Sequence, residues 1–329
     1  MHRPRVFINY ETTDRPWGGS NSFLFALKSF MSDLEEIEIV SDTGADFDMM
    51  LLNTAYTAPG EYISLKQIAN YRKYGHKDLF RYLLHGLKKR QIKIVLRLDG
   101  LRRFYSDNLN VKGDDIQLDL INFADAIVFQ SKASLMQFQK VMGNIKTPYH
   151  IIHNGVDQRL FNLEGRSNWN RKDKLKVFTT SWSSNPGKGF EDIARLSEVA
   201  GVVVNFVGNW PKEIASGRVH IKPPLKQALL AQEYKQNDIF FFPSRNEACP
   251  NVVVEALSCG LPVIYHPSGG TLELASKYGV ALTNDLHADI KAISENYDSF
   301  VKKIREDHYT FSIDHAGSKY AEVFQEAAL

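Results

Sequence analysis

The chain has 329 residues, more than one hydrophobic core comfortably holds, so two α/β domains of roughly 150 residues each are expected. Hydrophobic residues make up 43% and charged residues 24%, an ordinary globular balance, and no apolar run reaches the ~18 residues of a membrane span. A net charge of +2 gives no reason to expect nucleic acid as a partner. The start, Met1 to Tyr10, has too short an apolar core for a signal peptide and reads as a first strand. Cys249 and Cys259 are the only cysteines and share one predicted turn-and-helix segment. No structural disulfide is therefore expected, and a reducing, cytoplasmic compartment fits.

In chain order, Val6–Asn9 reads as a short apolar strand and Ser22–Phe30 as a helix. Between them runs Trp17-Gly18-Gly19-Ser20-Asn21-Ser22. Paired glycines let backbone approach a ligand closely, and free amides at a helix N-terminus favour phosphate. Such a turn is as readily structural, and the spacing is not the dinucleotide pattern Gly-x-Gly-x-x-Gly. Asp46-Phe47-Asp48 has the Asp-x-Asp form of a metal motif but precedes the strand Met49–Asn53 instead of following one. The ten histidines show no metal-binding spacing, so no metal site is expected.

Met49–Asn53 and Ile92–Leu98 read as buried parallel strands joined by a long basic helical stretch. From Tyr62 to Arg103 there are twelve Lys and Arg against Asp78 and Asp99: +10 on 42 residues of a chain of net +2, which leaves −8 elsewhere. Either this is a solvated helix face, or it meets an anionic partner such as a membrane surface. Leu79, Leu83, Leu84 and Leu87 would face the sheet, leaving Lys77, Arg81, Lys88 and Lys89 outward. At the strand's end, Arg97-Leu98-Asp99-Gly100-Leu101-Arg102-Arg103 sets an acid among arginines, where Asp99 could orient a sugar hydroxyl. Asp99-Gly100 reads equally well as a plain turn.

Strand Ile127–Gln130, helix Ser134–Val141 and strand Tyr149–His153 complete a first doubly wound parallel sheet. From Asn154 to Lys174 the chain turns polar and irregular, as an interdomain connection would. The alternation then restarts with strand Lys176–Thr180, helix Phe190–Val199, strand Val202–Gly208, helix Lys226–Tyr234, strand Ile239–Pro243, helix Asn251–Ser258 and strand Pro262–Tyr265. A second Rossmann-like sheet results. The expected domains are residues 1–157 and 158–314, with an amphipathic helix 315–329 packing back on the first through Tyr320, Val323 and Phe324.

Ligands of such sheets bind beyond the carboxyl ends of the strands. There Ser181 to Phe190 sets Lys188 just before a helix, a point charge beside free amides suited to a diphosphate. It is not a P-loop, because the Gly-x4-Gly-Lys-Ser/Thr spacing is absent. Glu247-Ala-Cys-Pro-Asn-Val-Val-Val-Glu255-Ala-Leu-Ser-Cys-Gly260 is bracketed by Pro250 and Gly260, helix start and stop signals. Asn251 and Glu255, four apart, face one way on that helix, while Glu247 stays on the loop. One carboxylate can hold a sugar and the other a ribose, although two glutamates at this spacing also arise by chance.

Together these segments resemble the retaining glycosyltransferases of the GT-B fold, specifically family 4. The family's Glu-x7-Glu motif matches Glu247 and Glu255. Ile-His-Asn-Gly-Val-Asp-Gln-Arg-Leu-Phe161 looks like its approach to the linker, Ser181–Gly189 is similar to its lysine loop, and Trp17–Ser20 to its glycine loop. The likeness runs strongest from Tyr149 to Leu274.

The resemblance implies two Rossmann-like domains facing a cleft, and sugar transfer from a UDP- or GDP-sugar to an acceptor hydroxyl by same-face attack. The donor is a substrate, so no cofactor is expected. Expected partners are the nucleotide-sugar, a glycan or lipid-linked acceptor and, peripherally, an anionic membrane on the cytoplasmic side. The expected catalytic residues are Asp99, Lys188 and Glu247. The expected donor-binding residues are Gly18, Gly19, Ser20, Ser183, Asn185, Lys188, Gly208, Glu247, Ala248, Cys249, Pro250, Asn251, Val252 and Glu255. Two departures stand out. The family often carries an arginine where Ser183, Ser184 and Asn185 stand, and a histidine at the strand end occupied by Arg97-Leu98-Asp99. Arg97, Arg102 and Arg103 are candidate substitutes for the missing arginine. Two other functions fit the same residues: a binding protein that lost turnover, and a GT-B sugar-nucleotide epimerase.

Overall fold

In the computed structural model, residues 3–13, 18–41, 47–53, 92–104 and 112–328 are described. Trp17, Asp46 and the basic stretch from Tyr62 to Gln91, with the four cations expected to face outward, lie outside them. The chain forms two compact units. One comprises residues 1–12, 24–153 and 316–329, the other residues 13–23 and 154–315. The division at His153 falls four residues before the expected boundary, because Asn154 and Val156 bond to partners in the second unit.

The first unit is a six-stranded parallel sheet. Its strands are β1 (Arg5–Ile8), β2 (Glu38–Val40), β3 (Met49–Asn53), β4 (Lys93–Leu98), β5 (Ala126–Phe129) and β6 (Tyr149–Ile151), in the order β2-β1-β3-β4-β5-β6. Helix α1 (Gly19–Ser32) starts three residues earlier than the sequence suggests, taking Gly19 and Ser20 into its first turn. Helices α2 (Lys112–Ile121) and α3 (Lys132–Met142) flank the sheet's other half. Phe7, Met50, Leu52, Leu96 and Phe129 build one core, and Met49, Leu51 and Val95, on alternate positions of the same strands, are also fully buried. Both faces are thus covered, as continuous apolar strands require. Asp48 lies at the amino end of β3, where its Oδ2 accepts from the Arg5 amide at 2.9 Å.

The second unit repeats the architecture more regularly. Its strands are β7 (Leu175–Ser181), β8 (Val202–Gly208), β9 (His220–Lys222), β10 (Ile239–Phe242), β11 (Val263–Tyr265) and β12 (Gly279–Ala281), all parallel, in the order β12-β11-β10-β7-β8-β9. Its helices are α4 (Phe190–Leu196), α5 (Gln227–Lys235), α6 (Asn251–Ser258), α7 (Thr271–Ala275), α8 (Leu286–Glu295) and α9 (Tyr297–Glu306). Phe178, Phe240 and Phe242 point into one core and Val177, Ile239 and Phe241 into another, so helices cover both faces. The strand order reverses between β7 and β10, the point of such a sheet where ligands bind beyond the carboxyl ends of the strands.

Helix α10 (Ile313–Ala328) buries Tyr320, Val323 and Phe324. It packs on α1 at Gly317, where a Cβ would stand 2.3 Å from the Phe30 ring. Among the described residues no helix is long and apolar enough to cross a membrane.

Candidate donor-binding site

The loops leaving β7 and β10 meet at the reversal. After β7, Asn185 accepts from the Gly187 amide through its side chain at 2.9 Å, capping a 3-10 turn over Pro186–Lys188. Gly189 then leaves that turn left-handed, at φ 75°, and a Cβ there would stand 2.7 Å from the Cβ of Pro243. Only glycine lets the lysine loop lie against the end of β10 this closely. Ser183 shapes the same loop: its hydroxyl accepts from the Asn185 amide at 3.2 Å, and its carbonyl accepts from Ser181 at 2.6 Å. Gly208, in register with Ser181, leaves no room for a side chain, since a Cβ would stand 2.0 Å from the Ser181 carbonyl oxygen.

After β10 the chain places Glu247 beside Lys188. Lys188 Nζ donates to Glu247 Oε1 at 2.5 Å, and Ser244 Oγ donates to the same oxygen at 2.7 Å. Burial pushes the Glu247 carboxyl up, but the Lys188 ammonium and the hydrogen bonds from Lys188 and Ser244 outweigh it and hold the acid below its usual range. The two side chains remain 27% and 26% exposed, so a ligand can reach both. The loop is clamped from the β11–α7 connection. The Gly270 amide donates to the Glu247 carbonyl at 2.8 Å, and Ser268 Oγ accepts from the amide of Asn246, which is left-handed at φ 55°. A Cβ on Gly269 would strike the Glu247 carbonyl at 2.4 Å.

Pro250 caps α6, which runs Asn251–Ser258 as its sequence signals predict. Ala248 and Val252 are partly exposed, whereas Cys249, Pro250 and Asn251 are buried. Glu255 points inward and is only 4% exposed. Its Oε2 lies 2.9 Å from the hydroxyl of Tyr234, which also contacts the Val252 carbonyl at 3.1 Å. Burial raises the carboxyl to about 7 despite the Tyr234 hydrogen bond. One phenol proton cannot serve both acceptors at once. The Tyr234 hydroxyl therefore donates either to Glu255 Oε2 or to the Val252 carbonyl, and only the first bond favours the ionised carboxylate.

The glycine turn belongs to this unit too. The Asn251 side-chain amide donates to the Gly19 carbonyl at 2.6 Å, and the Asn21 amide donates to the Gly18 carbonyl at 3.0 Å. Asn21 also brackets the backbone of Thr13 with both ends of its side chain. Gly18, Gly19 and Ser20 are at least partly exposed. Gly18–Ser20, Lys188, Glu247 and Glu255 therefore all stand in one compact unit.

Asp99 is in the first unit, just beyond β4. Its Oδ1 accepts from Gln130 and, at 3.4 Å, from Arg97 Nη1. Arg97 is fully buried and donates also to Asn53. Burial foremost, and then the Asp99 charge, raises the hydroxyl of nearby Tyr10. Arg97 has no surface to offer a diphosphate, and Arg103 is engaged by Asp114 at 2.9 Å and Asp115 at 3.2 Å. A cavity of about 500 Å³ beside Trp169, Asn237 and Asp238 lies at the opposite, amino ends of β7 and β10. It has no part in this arrangement. Among the described residues no group of three His, Cys, Asp or Glu side chains is placed to hold a metal ion.

Sequence reasoning missed Ser244, Tyr234 and Asn154. Ser244 had a signal, since it follows Pro243 at a strand end. Tyr234 had none, because a tyrosine on a helix says nothing of a glutamate 21 residues on.

Two parallel α/β sheets with these loops at the carboxyl ends of their strands define the GT-B fold, shared with glycosyltransferases of known structure. Residues 212–309 match the family model described as glycosyl transferases group 1. Sucrose-phosphate synthase from Thermosynechococcus elongatus superimposes with a TM-score of 0.70 over 99% of both chains at 14% identity. HepE of Anabaena, solved with UDP and glucose, gives 0.67 over 98% of this chain and 100% of its own at 15% identity. The pneumococcal O-GlcNAc transferase GtfA, solved with UDP and GlcNAc, gives 0.55 over 72% of this chain and 53% of its own at 14% identity. No curated protein matches the chain in sequence.

Proposed function

We propose that the chain is a retaining, metal-independent glycosyltransferase that moves a sugar from a UDP- or GDP-hexose to an acceptor hydroxyl of a glycan or lipid-linked saccharide. The observation that carries this reading is the Lys188–Glu247 pair where the second sheet reverses, on two loops whose close contacts Gly189 and Gly269 admit. The group 1 family match and the UDP-bound relatives support it.

In this reading the diphosphate draws Lys188 from Glu247. As the bond between C1 and the phosphate oxygen breaks, the departing oxygen gains charge, which the Lys188 ammonium and the amides of Gly18–Ser20 stabilise. The acceptor oxygen bonds C1 from the same face, and its proton passes to the departing phosphate. Glu247, with the amides of Ala248, Cys249, Asn251 and Val252, holds the sugar hydroxyls, while Pro250, lacking an N–H, only shapes the turn. Glu255 holds the ribose through Oε1, which makes no hydrogen bond among the described residues. Asp99, held by Gln130 and Arg97, orients a sugar hydroxyl.

Labelled UDP-glucose and GDP-mannose, each with and without candidate acceptors, test this directly. Consumption of one donor with anomeric configuration kept is the expected result. Nucleotide binding without donor consumption would mark a binding protein, and sugar isomerisation without acceptor an epimerase. Activity abolished by EDTA and restored by Mn²⁺ would overturn metal independence.

A further inference from the structure

Asn154, in the polar run that reads as a linker, is buried to 4% exposure and tied into the carboxylate helix. Its main-chain amide donates to Cys249 Sγ at 3.2 Å. Its side-chain Nδ2 donates to the Cys249 carbonyl at 3.1 Å and to Asn251 Oδ1 at 2.6 Å. A carboxamide has one accepting and one donating end. Because Asn154 presents a donor, the near end of the Asn251 amide must be its oxygen. The far end is therefore NH2, and it donates to the Gly19 carbonyl.

In a trans peptide the carbonyl and the following amide point in opposite directions. Tying the Gly19 carbonyl to Asn251 turns the Ser20 N–H away from α6, and tying the Gly18 carbonyl to the Asn21 amide turns the Gly19 N–H away from the body of α1. Both amides sit in the first turn of α1, where an anion is favoured. We propose that Asn154 is a positioning residue for the donor diphosphate: by fixing which way the Asn251 amide faces, it holds the glycine turn with its amides outward. The inference rests on the donor-site reading above.

The isosteric change Asn154→Asp replaces the donor by a carboxylate oxygen facing two acceptors. Asn251 must then flip to donate toward that carboxylate, turning its own oxygen against the Gly19 carbonyl. Asn251→Asp reaches the same clash while leaving the Asn154–Cys249 bonds in place. The experiment is calorimetry of the parent and both variants with UDP and uridine, or GDP and guanosine if the parent prefers guanine, alongside thermal melting. The nucleoside lacks the group that the glycine turn meets. The expected result is a loss of roughly tenfold or more in diphosphate affinity in both variants, with nucleoside affinity within about threefold of the parent. Diphosphate and nucleoside weakening in parallel, or neither weakening in well-folded variants, overturns the role of Asn154. A parent that binds no nucleoside diphosphate overturns the donor site itself. Should Asn154→Asp not fold, Asn251→Asp decides alone.

Discussion

At the scale of single residues, Lys188 and Glu255 carry the sharpest expectations. Lys188→Ala should slow transfer by roughly 10²–10³, the scale of losing one preorganised donor to developing charge. Its ion pair with Glu247 is partly exposed, so the stability change should be small and a melting curve should barely move. Glu255 behaves in the opposite way. Its carboxyl, raised to about 7 by burial, binds a proton in the folded chain at pH values where the unfolded chain has released it. The stability this adds is complete below the unfolded value of 4.5 and is lost as pH rises through 7. Glu255→Gln, neutral at every pH, should flatten that slope. Melting temperatures of parent and variant between pH 4.5 and 8 measure it, and an identical slope in both would count against a buried, protonated Glu255. Ribose binding by an ionised Glu255 should correspondingly strengthen above pH 7.

At the scale of elements, the site depends on glycines that admit close contact. Gly189 and Gly201 have nearly the same φ, 75° and 82°, but differ in what surrounds them. A Cβ at Gly201 meets nothing within 4 Å, so Gly201→Ala should cost only the ~1–2 kcal/mol of a left-handed alanine. Gly189→Ala adds a collision with Pro243 at 2.7 Å and should cost clearly more, with a further loss of donor binding because the Lys188 loop is pushed off β10. Denaturant unfolding of both variants compares them, and equal costs would mean that the loop yields freely.

The sequence makes many of these elements legible, because continuous apolar strands and the Pro250–Gly260 brackets are local signals. It hides others. β9 is a strand with every residue exposed, paired with β8 and tied to α5 by Lys222 and Glu233, and no periodicity marks it. Helices α8 and α9 did carry a signal in Leu286, Ile290 and Ile293 and in Tyr297, Val301 and Ile304, at helical spacing. The partners of Glu255 and Asn251 come from Tyr234 and Asn154, far off in sequence, which only tertiary packing brings near.

At the scale of the whole molecule, charge is unevenly distributed. Residues 62–103 hold +10 and the remainder −8. Each cation near an anionic bilayer contributes on the order of 1 kcal/mol, decaying within a Debye length, so four could hold the chain at a membrane without insertion. Changing Lys77, Arg81, Lys88 and Lys89 to glutamine should abolish sedimentation with phosphatidylserine vesicles at low salt and leave UDP affinity unchanged. Sedimentation equal to the parent's would reduce the basic stretch to a solvated surface.

The placement of the two cysteines has a kinetic corollary. Cys249 and Cys259 stand at either end of α6 and are both buried; burial pushes the Cys259 thiol up to about 12, so almost none of it is thiolate at neutral pH. An alkylating reagent therefore waits on opening of the chain, and the two sulfurs wait on different events. Both belong to one core cluster, but Cys249 is 7% exposed and accepts from the Asn154 amide, whereas Cys259 is fully enclosed at 0%. Labelling at Cys249 clocks the local breathing of the donor site, and labelling at Cys259 clocks the opening of the whole second unit. A nucleoside diphosphate should slow the first clock more than the second, which makes the native chain its own reporter of where ligand binding tightens it.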